Sequence, residues 1–384
     1  MRISVVTETF HPFLGGSAKR YLEVFKRIAA KGHEVTVYTV RLWEDSSPEE
    51  DVGGIRVVRT PRVLGGFITK EGFRDVNKVL DYSAWALKRL VGEDPPDIIE
   101  ANHCPIFPAL ASWVARRAKG RPLCVTFHEC WHNHWYRYVP SKLYVPVGIM
   151  LEKITAWAPD ATISVSELTA DRLASCLGIR RETIHVISNG VDLQRASGVT
   201  AERNGNEIVY VGRLNFHKKL DWLIEAYARV KKEVGDVKLT IVGEGPARGM
   251  CERLTRRAGV DGIEFTGAVD ETELYRLLKR AKVYVLPSIR EGQSITTLEA
   301  MAAGTPQVVV EAEGNGAAEL VRSGMTGIVS KPNPRAIADG IARIVNDDEL
   351  WLDFHANSLS FVRRYTWDVA SAQYLQVYNS LLSS

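Results

Sequence analysis

Cysteine is scarce in this chain, and long apolar runs are missing from it. The five cysteines, an odd number without the regular spacing of a disulfide framework, are Cys104, Cys124, Cys130, Cys176 and Cys251. No stretch approaches the roughly 20 apolar residues that a membrane-spanning helix needs. The first residues, MRISVVTETF, enter an apolar run at once, without the leader of an exported protein. We expect a cytoplasmic protein, and leave open a peripheral contact with the inner face of a membrane.

Neither sign of charge dominates the composition. The chain has 49 lysines and arginines against 46 aspartates and glutamates, which gives a formal net charge of +3. A nucleic-acid-binding protein would need a concentrated basic face, so we expect no nucleic acid as a partner. A locally basic cleft for a small anionic ligand remains compatible with this balance. The length of 384 residues suits two domains better than one.

Short β-rich runs alternate with longer segments of helical period. In the first half the runs are residues 3–7, 34–40, 55–60, 97–102, 123–128, 161–166 and 184–189. In the second half they are residues 207–212, 238–243, 262–267, 283–288, 306–310 and 326–330. This alternation predicts an α/β protein with parallel sheets that are covered by helices on both faces.

The alternation breaks at residues 189–205, a polar, glycine-containing stretch without a period. We interpret this stretch as a linker between two doubly wound, Rossmann-like domains. Ligands of such domains bind outside the carboxyl ends of the strands, so two domains facing each other would form one cleft.

Two acids in the segment 283–310 are the first candidate site residues. A buried strand ends at LPS, a short loop carries Glu291, and a helix then opens near Ser294, a good N-cap residue. Glu299 follows Glu291 by eight residues, about 12 Å along a helix, which suits a ligand with two hydroxyl-rich ends. The amides that could take phosphate or sugar oxygens are those of Gln293, Ser294 and Ile295. Two acids alone could be a solvated loop acid and a surface helix acid; the strand–loop–helix setting favours a binding site.

Two cations form a second candidate group, in YVGRLNFHKK (210–219). A strand ends before Arg213, and Lys218 stands in the following loop. A guanidinium and an ammonium together can neutralise a diphosphate and stabilise a departing nucleoside diphosphate. The chain has no Asp-x-Asp pair that could hold a metal at a sugar nucleotide. This absence fits a site in which side-chain cations, and not a metal, neutralise the diphosphate. The alternative is that both are exposed loop charges, and the adjacent Lys219 could substitute for Lys218.

With these motifs the chain resembles the family-4 retaining glycosyltransferases. Their Glu-x7-Glu motif is present as EGQSITTLE and their GRL-x3-K segment as GRLNFHK. The resemblance extends over essentially the whole chain, through HPFLGGSAKR, VTFHE, SNGVD, VGEGP and YTWDVA. It implies the GT-B fold. The acceptor-side N-terminal domain would span 1–188 plus 366–384, the linker 189–205, and the nucleotide-sugar-binding domain 206–365.

The resemblance also implies roles for five residues of the C-terminal domain. Glu291 would hold hydroxyls of the donor sugar, and Glu299 would hold the ribose. Arg213 and Lys218 would bind the diphosphate, and the backbone at Val269 would read the edge of the base. The chain departs from the family at Gln293–Ser294, where an aromatic residue or glycine is common, and at Lys219, where glycine is usual. The first departure leaves the donor sugar open, and the second adds charge and could alter the shape of the loop.

In the N-terminal domain the resemblance points to Gly16 and His128. Gly16 would let its amide approach the donor phosphates, because it has no Cβ. His128 follows the run LCVTF, at a strand end where doubly wound sheets place ligand contacts, and would line the cleft near the transferred sugar. The alternative for His128 is an interior histidine with ordinary partners.

Three further features have weaker functional meaning. VGEGPARG departs from a dinucleotide-binding fingerprint in its spacing, so we interpret Gly243 and Gly245 as a tight turn. The cysteines and histidines of residues 124–134 fit no familiar zinc spacing, and we expect neither a metal nor a cofactor. The aromatic and basic segments 65–90 and 130–157 could contact a membrane surface, or reflect ordinary helix packing or a carbohydrate site.

We therefore expect a retaining glycosyltransferase that moves a hexose from a UDP- or GDP-linked donor to a glycan, lipid or small-molecule acceptor without a metal. The catalytic residues would be Glu291, His128, Arg213 and Lys218. The resemblance implies front-face transfer without a covalent intermediate, so Glu291 would position the sugar and not attack it. A nucleotide-sugar epimerase or hydrolase of the same layout, or a noncatalytic binding subunit, remains the alternative.

Overall fold

The computed structural model describes residues 1–13, 15–66, 74–138, 142–203 and 205–383. The chain divides into two compact units, Met1–Asn189 with Trp367–Ser384, and Gly190–Thr366. Each unit is built on a parallel sheet with helices packed against it. This architecture confirms the predicted α/β class with two Rossmann-like domains.

The first unit contains a sheet of eight described strands. Its elements are β1 (Arg2–Val6), α1 (Gly16–Ala30), β2 (Glu34–Thr39), β3 (Glu49–Asp51), β4 (Ile55–Arg59), α2 (Val76–Gly92), β5 (Ile98–Asn102), α3 (Ile106–Lys119), β6 (Leu123–Phe127), α4 (Trp135–Tyr138), α5 (Val145–Trp157), β7 (Ala161–Ser164), α6 (Glu167–Leu177), β8 (Ile184–Val186) and, from the end of the chain, α15 (Trp367–Ser383). The strand order is β3-β4-β2-β1-β5-β6-β7-β8, and only β3 is antiparallel to its neighbour. The order reverses between β1 and β5, so the carboxyl ends of those strands flank the point where such sheets bind ligands.

The second unit repeats this plan with six described strands in its main sheet. Its elements are α7 (Leu193–Gly198), β9 (Glu207–Val211), α8 (Leu220–Val234), β10 (Lys238–Val242), α9 (Arg248–Ala258), β11 (Ile263–Gly267), α10 (Glu271–Arg280), β12 (Val283–Leu286), β13 (Arg290–Glu291), α11 (Ile295–Ala302), β14 (Gln307–Val310), β15 (Gly314–Asn315), α12 (Ala317–Leu320), β16 (Gly327–Ser330), α13 (Pro334–Val345) and α14 (Asp348–Phe361). The order is β11-β10-β9-β12-β14-β16, with a separate parallel pair β13-β15. Here the reversal falls between β9 and β12. The near-continuous apolar runs of these strands are buried on both faces, as parallel sheets require.

Residues 189–205, predicted to be a linker, instead contain a helix of the second unit. Asp192 caps helix α7 by accepting a hydrogen bond from the Arg195 amide, 2.9 Å away. Ala196 is buried in the hydrophobic core of the second unit, together with Val191. Most of this polar stretch is therefore part of the second unit, because its few apolar side chains are spaced to meet that core.

Gly243 and Gly245 allow the loops after β9 and β10 to touch through their backbones. Gly243 has a φ of +124°, and a Cβ there would lie 2.1 Å from the Gly212 carbonyl oxygen. A Cβ on Gly245 would lie 2.5 Å from the carbonyl oxygen of Leu214. The Leu214 amide donates to the Glu244 carbonyl at 2.9 Å. Close packing of two strand ends therefore explains both glycines.

The C-terminal helix α15 is attached to the first unit through a buried carboxylate, Glu100 on β5. Glu100 accepts hydrogen bonds from the hydroxyls of Thr126, at 2.6 Å, and Tyr378, at 3.0 Å. Tyr21 of α1 donates to the same carboxylate at 3.2 Å. The carboxylate therefore joins α1, β6 and α15.

Burial raises the pKa of Glu100 from 4.5 to about 7, although these hydrogen bonds act in the opposite direction. The folded protein therefore holds a proton on Glu100 that the unfolded chain releases, and this contribution to stability is lost as the pH rises from about 4 to about 8. One pKa unit corresponds to about 1.4 kcal/mol. Glutamine does not titrate, so Glu100→Gln should lack this loss. We expect the free energy of unfolding of Glu100→Gln, minus that of wild type, to increase by about 3 kcal/mol as the pH rises over this range.

Urea denaturation of both proteins at several pH values measures this difference. The wild-type value must be subtracted at each pH, because two other buried groups also make the stability depend on pH. Burial lowers the pKa values of His103 and His128 to about 3, so their contribution to stability rises with pH in both proteins. A difference that does not change with pH would contradict the assignment.

Candidate functional site

The loops that follow β9 and β12 are joined at the reversal point of the second sheet. The Ile289 amide donates to the carbonyl of His217 at 3.1 Å. Ser288, which is fully buried, donates its hydroxyl to the Arg290 carbonyl at 2.9 Å. The two sequence segments that carry the candidate cations and the candidate acids therefore form one surface.

The centre of this surface is an ion pair between Lys218 Nζ and Glu291 Oε1. Lys218 ends the short 3-10 helix Phe216–Lys218, and Glu291 lies in β13. The side chains are only 15% and 12% exposed, so the pair is largely shielded from water. The structure thus places in direct contact two residues that lie 73 positions apart in sequence.

A loop that the sequence analysis did not identify holds the backbone of Glu291. β13 pairs with β15, where Glu291 lies opposite Asn315. The Gly316 amide donates to the Glu291 carbonyl at 2.8 Å. A Cβ on Gly316 would lie 2.1 Å from the carbonyl oxygen of Gly292, so only glycine fits. The signal in the sequence is GNG at 314–316, three residues beyond the run 306–310, because two glycines so near a strand end indicate a close backbone approach.

Helix α11 begins beside this loop, as predicted from Ser294. The Ser294 hydroxyl accepts from the Thr297 amide at 3.2 Å and lies 3.0 Å from the hydroxyl of Thr296. The Ser294 side chain is therefore used for capping. Ser294 and Ile295 can contact a ligand at the helix start only through their backbone amides. Gln293, just before the cap, is half-buried.

Glu299 lies inside α11 and is buried, in contrast to the surface helix acid of the alternative interpretation. Tyr275 of α10 lies close enough to Glu299 to be affected by its charge. Burial, and then this charge, raise the pKa of the Tyr275 phenol far above its usual value. The Tyr275 hydroxyl is buried and has no hydrogen-bond partner within the described ranges. A buried acid and a buried hydroxyl thus lie near each other on facing helices.

Arg213 and Val269 follow the carboxyl ends of β9 and β11. Arg213 has an exposed side chain, and its carbonyl accepts from the Tyr210 hydroxyl at 3.0 Å. Val269 is half-buried and packs against the hydrophobic core of the second unit. Both residues lie at the same edge of the sheet as the Lys218–Glu291 pair, since all strands of this sheet are parallel.

The structure distinguishes Lys218 from Lys219. Lys219 adopts a φ of +51°, the left-handed region that favours glycine, and directly precedes helix α8. Its ammonium lies 3.0 Å from a carboxylate oxygen of Asp221 and 4.6 Å from the ring centroid of Trp222. The loop keeps its glycine-like backbone, and the additional charge is held by Asp221 while Lys218 pairs with Glu291.

In the first unit, Gly16 is the first residue of α1, after the extended N-cap residue Gly15. His128 follows β6, and its ring lies 6.0 Å from that of Tyr21. Burial, then the charge of Arg20, lowers the pKa of His128 to about 3, so its imidazole is neutral near pH 7.

His103 is a residue of this sheet edge that the sequence analysis did not single out. It follows β5, is buried, and stacks on Phe127 with ring centroids 4.0 Å apart. Neither of its ring nitrogens has a hydrogen-bond partner among the residues that the structure describes. The same strand-end rule that selected His128 would have selected His103.

In the described part of the chain, no group of three or more histidine, cysteine, aspartate or glutamate side chains is arranged to hold a metal ion. Every helix within those same residues is too short or too polar to cross a bilayer.

Comparison with known proteins places the chain in a family. A family model for Glycosyltransferase Family 4 matches residues 14–195, and one for Glycosyl transferases group 1 matches residues 205–347. The chain belongs to the family-4 glycosyltransferases of the GT-B fold.

Two relatives of similar length are enzymes of different activity. The chain is 28% identical to a phosphatidyl-myo-inositol mannosyltransferase of Mycobacterium leprae, covering 100% of this chain and 98% of that protein. It is also 28% identical to a glycogen synthase of Mycobacterium tuberculosis, with 98% and 94% covered.

Solved structures show the same fold. The sucrose-phosphate synthase of Thermosynechococcus elongatus gives a TM-score of 0.84 at 21% identity, covering 99% of both chains. Anabaena HepE in complex with UDP and glucose gives 0.75 at 18% identity, covering 99% of this chain and 100% of that one.

Proposed function

We propose that this protein is a retaining glycosyltransferase that transfers a hexose from a UDP- or GDP-linked donor, without a metal, to a glycan, lipid or small-molecule acceptor. The observation that carries the proposal is the shielded Lys218–Glu291 pair at the start of α11. An ammonium, which suits a diphosphate, and a carboxylate, which suits sugar hydroxyls, lie side by side at the edge where doubly wound sheets bind ligands.

The cations act on the diphosphate. A nucleoside diphosphate brings about two negative charges, which Lys218 and the exposed Arg213 neutralise together. As the donor binds, Lys218 exchanges the carboxylate of Glu291 for phosphate oxygens. Glu291 is then available to accept hydrogen bonds from hydroxyls of the transferred sugar. The same cations stabilise the departing nucleoside diphosphate.

The remaining residues bind the other parts of the donor. Buried Glu299 accepts hydrogen bonds from the ribose hydroxyls, and the backbone at Val269 reads the edge of the base. The amides of Gln293, Ser294 and Ile295, at the positive end of the α11 dipole, take phosphate or sugar oxygens. In the first unit the amide of Gly16, at the start of α1, contributes in the same way.

His128 acts as a neutral group. With its pKa lowered to about 3 by burial and the charge of Arg20, it serves as a hydrogen-bond partner of the sugar and not as an imidazolium. Transfer with retention follows a front-face route: the acceptor oxygen forms a bond to the anomeric carbon on the side from which the diphosphate leaves. The leaving phosphate oxygen accepts the acceptor's proton, and Glu291 positions the sugar.

The relatives support the donor class and leave the acceptor broad. The HepE complex supports UDP as a nucleotide that this fold holds, and the mannosyltransferase supports a hexose as the transferred group. A glycogen synthase and a phosphatidyl-myo-inositol mannosyltransferase match at equal identity, which supports both glycans and lipids as acceptor classes.

Screening of UDP- and GDP-sugars by thermal shift, then transfer with the stabilising donor, tests the proposal. Proton NMR of the product reports the anomeric configuration, which we expect to match that of the donor. An inverted product would refute retention. Conversion of the donor to another sugar nucleotide, with no acceptor present, would establish an epimerase instead.

A further inference from the structure

Helix α5 and the residues just before it expose a stripe of large apolar side chains on the first unit. The stripe consists of Leu143, Val147, Met150, Ile154 and Trp157, all exposed to solvent. Within α5 a spacing of three, four and three residues places the last four on one face of the helix, and Leu143 precedes them in the 3-10 turn Lys142–Tyr144. Leu143 is 84% exposed. Trp157 is 69% exposed, with its indole nitrogen donating to the Leu177 carbonyl at 3.0 Å. A contiguous patch of this kind marks an interaction surface.

The charges beside the stripe are positive. Lys142 and Lys153 are both exposed. Lys153 lies beside the apolar stripe by helical spacing, and Lys142 lies next to Leu143 in the 3-10 turn before α5. Glu152, the only acid in α5, is fully buried on the opposite face. It accepts hydrogen bonds from the amides of Trp131 and His132, at 2.7 and 2.8 Å, so its charge is directed into the protein.

We propose that this face of α5 docks on the surface of an anionic lipid bilayer. An apolar stripe bordered by lysines, with a tryptophan and a tyrosine (Tyr144) at its ends, has the composition of a helix that lies in a membrane interface. The apolar side chains enter the boundary between headgroups and acyl chains, and the lysines bind lipid phosphates. This proposal goes beyond the transfer reaction and does not depend on it.

The same helix is attached to the candidate site of the first unit. The segment that Glu152 holds begins three residues after His128, and the Trp135 indole donates to Glu152 at 2.9 Å. Docking of α5 therefore places the strand ends around His128 and His103 close to the bilayer surface, where a lipid acceptor would be presented.

Flotation with vesicles, without donor or acceptor, tests the proposal on the full chain. We expect binding to vesicles of phosphatidylcholine with phosphatidylglycerol, and much weaker binding to phosphatidylcholine alone. Met150→Asp with Ile154→Asp should lower the affinity at least tenfold, because two charges would enter the apolar boundary. Lys142→Ala with Lys153→Ala should lower it about tenfold on the anionic vesicles.

The matched control is Leu352→Asp with Leu359→Asp on α14 of the second unit. These side chains are 60% and 37% exposed, against 53% and 39% for Met150 and Ile154, so the two double variants perturb folding similarly. The control should bind vesicles like wild type. The proposal is overturned if wild type does not float with anionic vesicles, or if both double variants lose binding equally. It is also overturned if light scattering shows a dimer that only the α5 variant dissociates, because the occupant is then a second copy.

Discussion

Replacing Glu291 by glutamine is expected to lower the turnover number by about 10²–10³-fold, the usual cost of removing one preorganised electrostatic contact to a transition state. Glutamine keeps the size of the side chain, but its neutral amide oxygen is a weaker hydrogen-bond acceptor than the charged carboxylate. The same change should leave the affinity for free UDP equal to wild type or higher, because Lys218 loses the carboxylate with which a diphosphate competes. Steady-state kinetics and calorimetry measure the two effects separately.

This split between turnover and affinity distinguishes the role of Glu291 from a general loss of folding. Glu225→Gln is a suitable control, because it also removes a carboxylate from an ion pair, with Arg229 on the exposed face of α8. It should leave turnover and UDP affinity unchanged. Wild-type turnover by Glu291→Gln would refute the assignment, and a parallel loss of UDP affinity would refute the exchange of partners at Lys218.

Lys218→Met is expected to weaken UDP binding by about 10- to 100-fold, since a charge-assisted hydrogen bond contributes about 1.5–3 kcal/mol. Arg213→Met should have an effect of the same size. Lys219→Met, one residue further, should change the dissociation constant by less than about twofold, because that ammonium is held by Asp221 and Trp222. Calorimetric titration of each variant with UDP, and with GDP, gives these values.

The two lysines therefore provide an internal comparison at one loop. Equal losses for Lys218→Met and Lys219→Met would show that the loop rearranges on binding and that the distinction seen in the free protein does not hold. An unchanged dissociation constant for Lys218→Met would refute its role at the diphosphate.

The fold could be predicted largely from sequence, because buried parallel strands are near-continuous apolar runs and each expected run contains a strand. The charged strand β3, EED, could not, since it lies at the sheet edge and is held by pairing with β4 rather than by burial. The polar composition of residues 189–205 predicts a linker, because it outweighs the few apolar positions that meet the core.

The candidate site was predictable in its residue types but not in its contacts. Motifs selected Glu291 and Lys218 separately, whereas their ion pair depends on the reversal point that brings the ends of β9 and β12 together. The backbone support from Gly316 and the left-handed conformation of Lys219 are properties of tertiary packing. His103 lies at the carboxyl end of a strand, as His128 does, but belongs to none of the motifs that selected the other residues.

The return of the chain to its first unit limits how the protein can be divided for expression. Ending the chain before α15 would remove Tyr374 and Tyr378, both buried. Arg20 would lose the Tyr374 hydroxyl, and Glu100 the Tyr378 hydroxyl, as hydrogen-bond partners. The second unit is one continuous segment, Gly190–Thr366, so we expect it to fold when it is produced alone. The first unit needs residue 189 joined to residue 367. The hydrogen bond from the Val191 amide to the Tyr365 carbonyl, 3.0 Å, shows that a short peptide can span that junction.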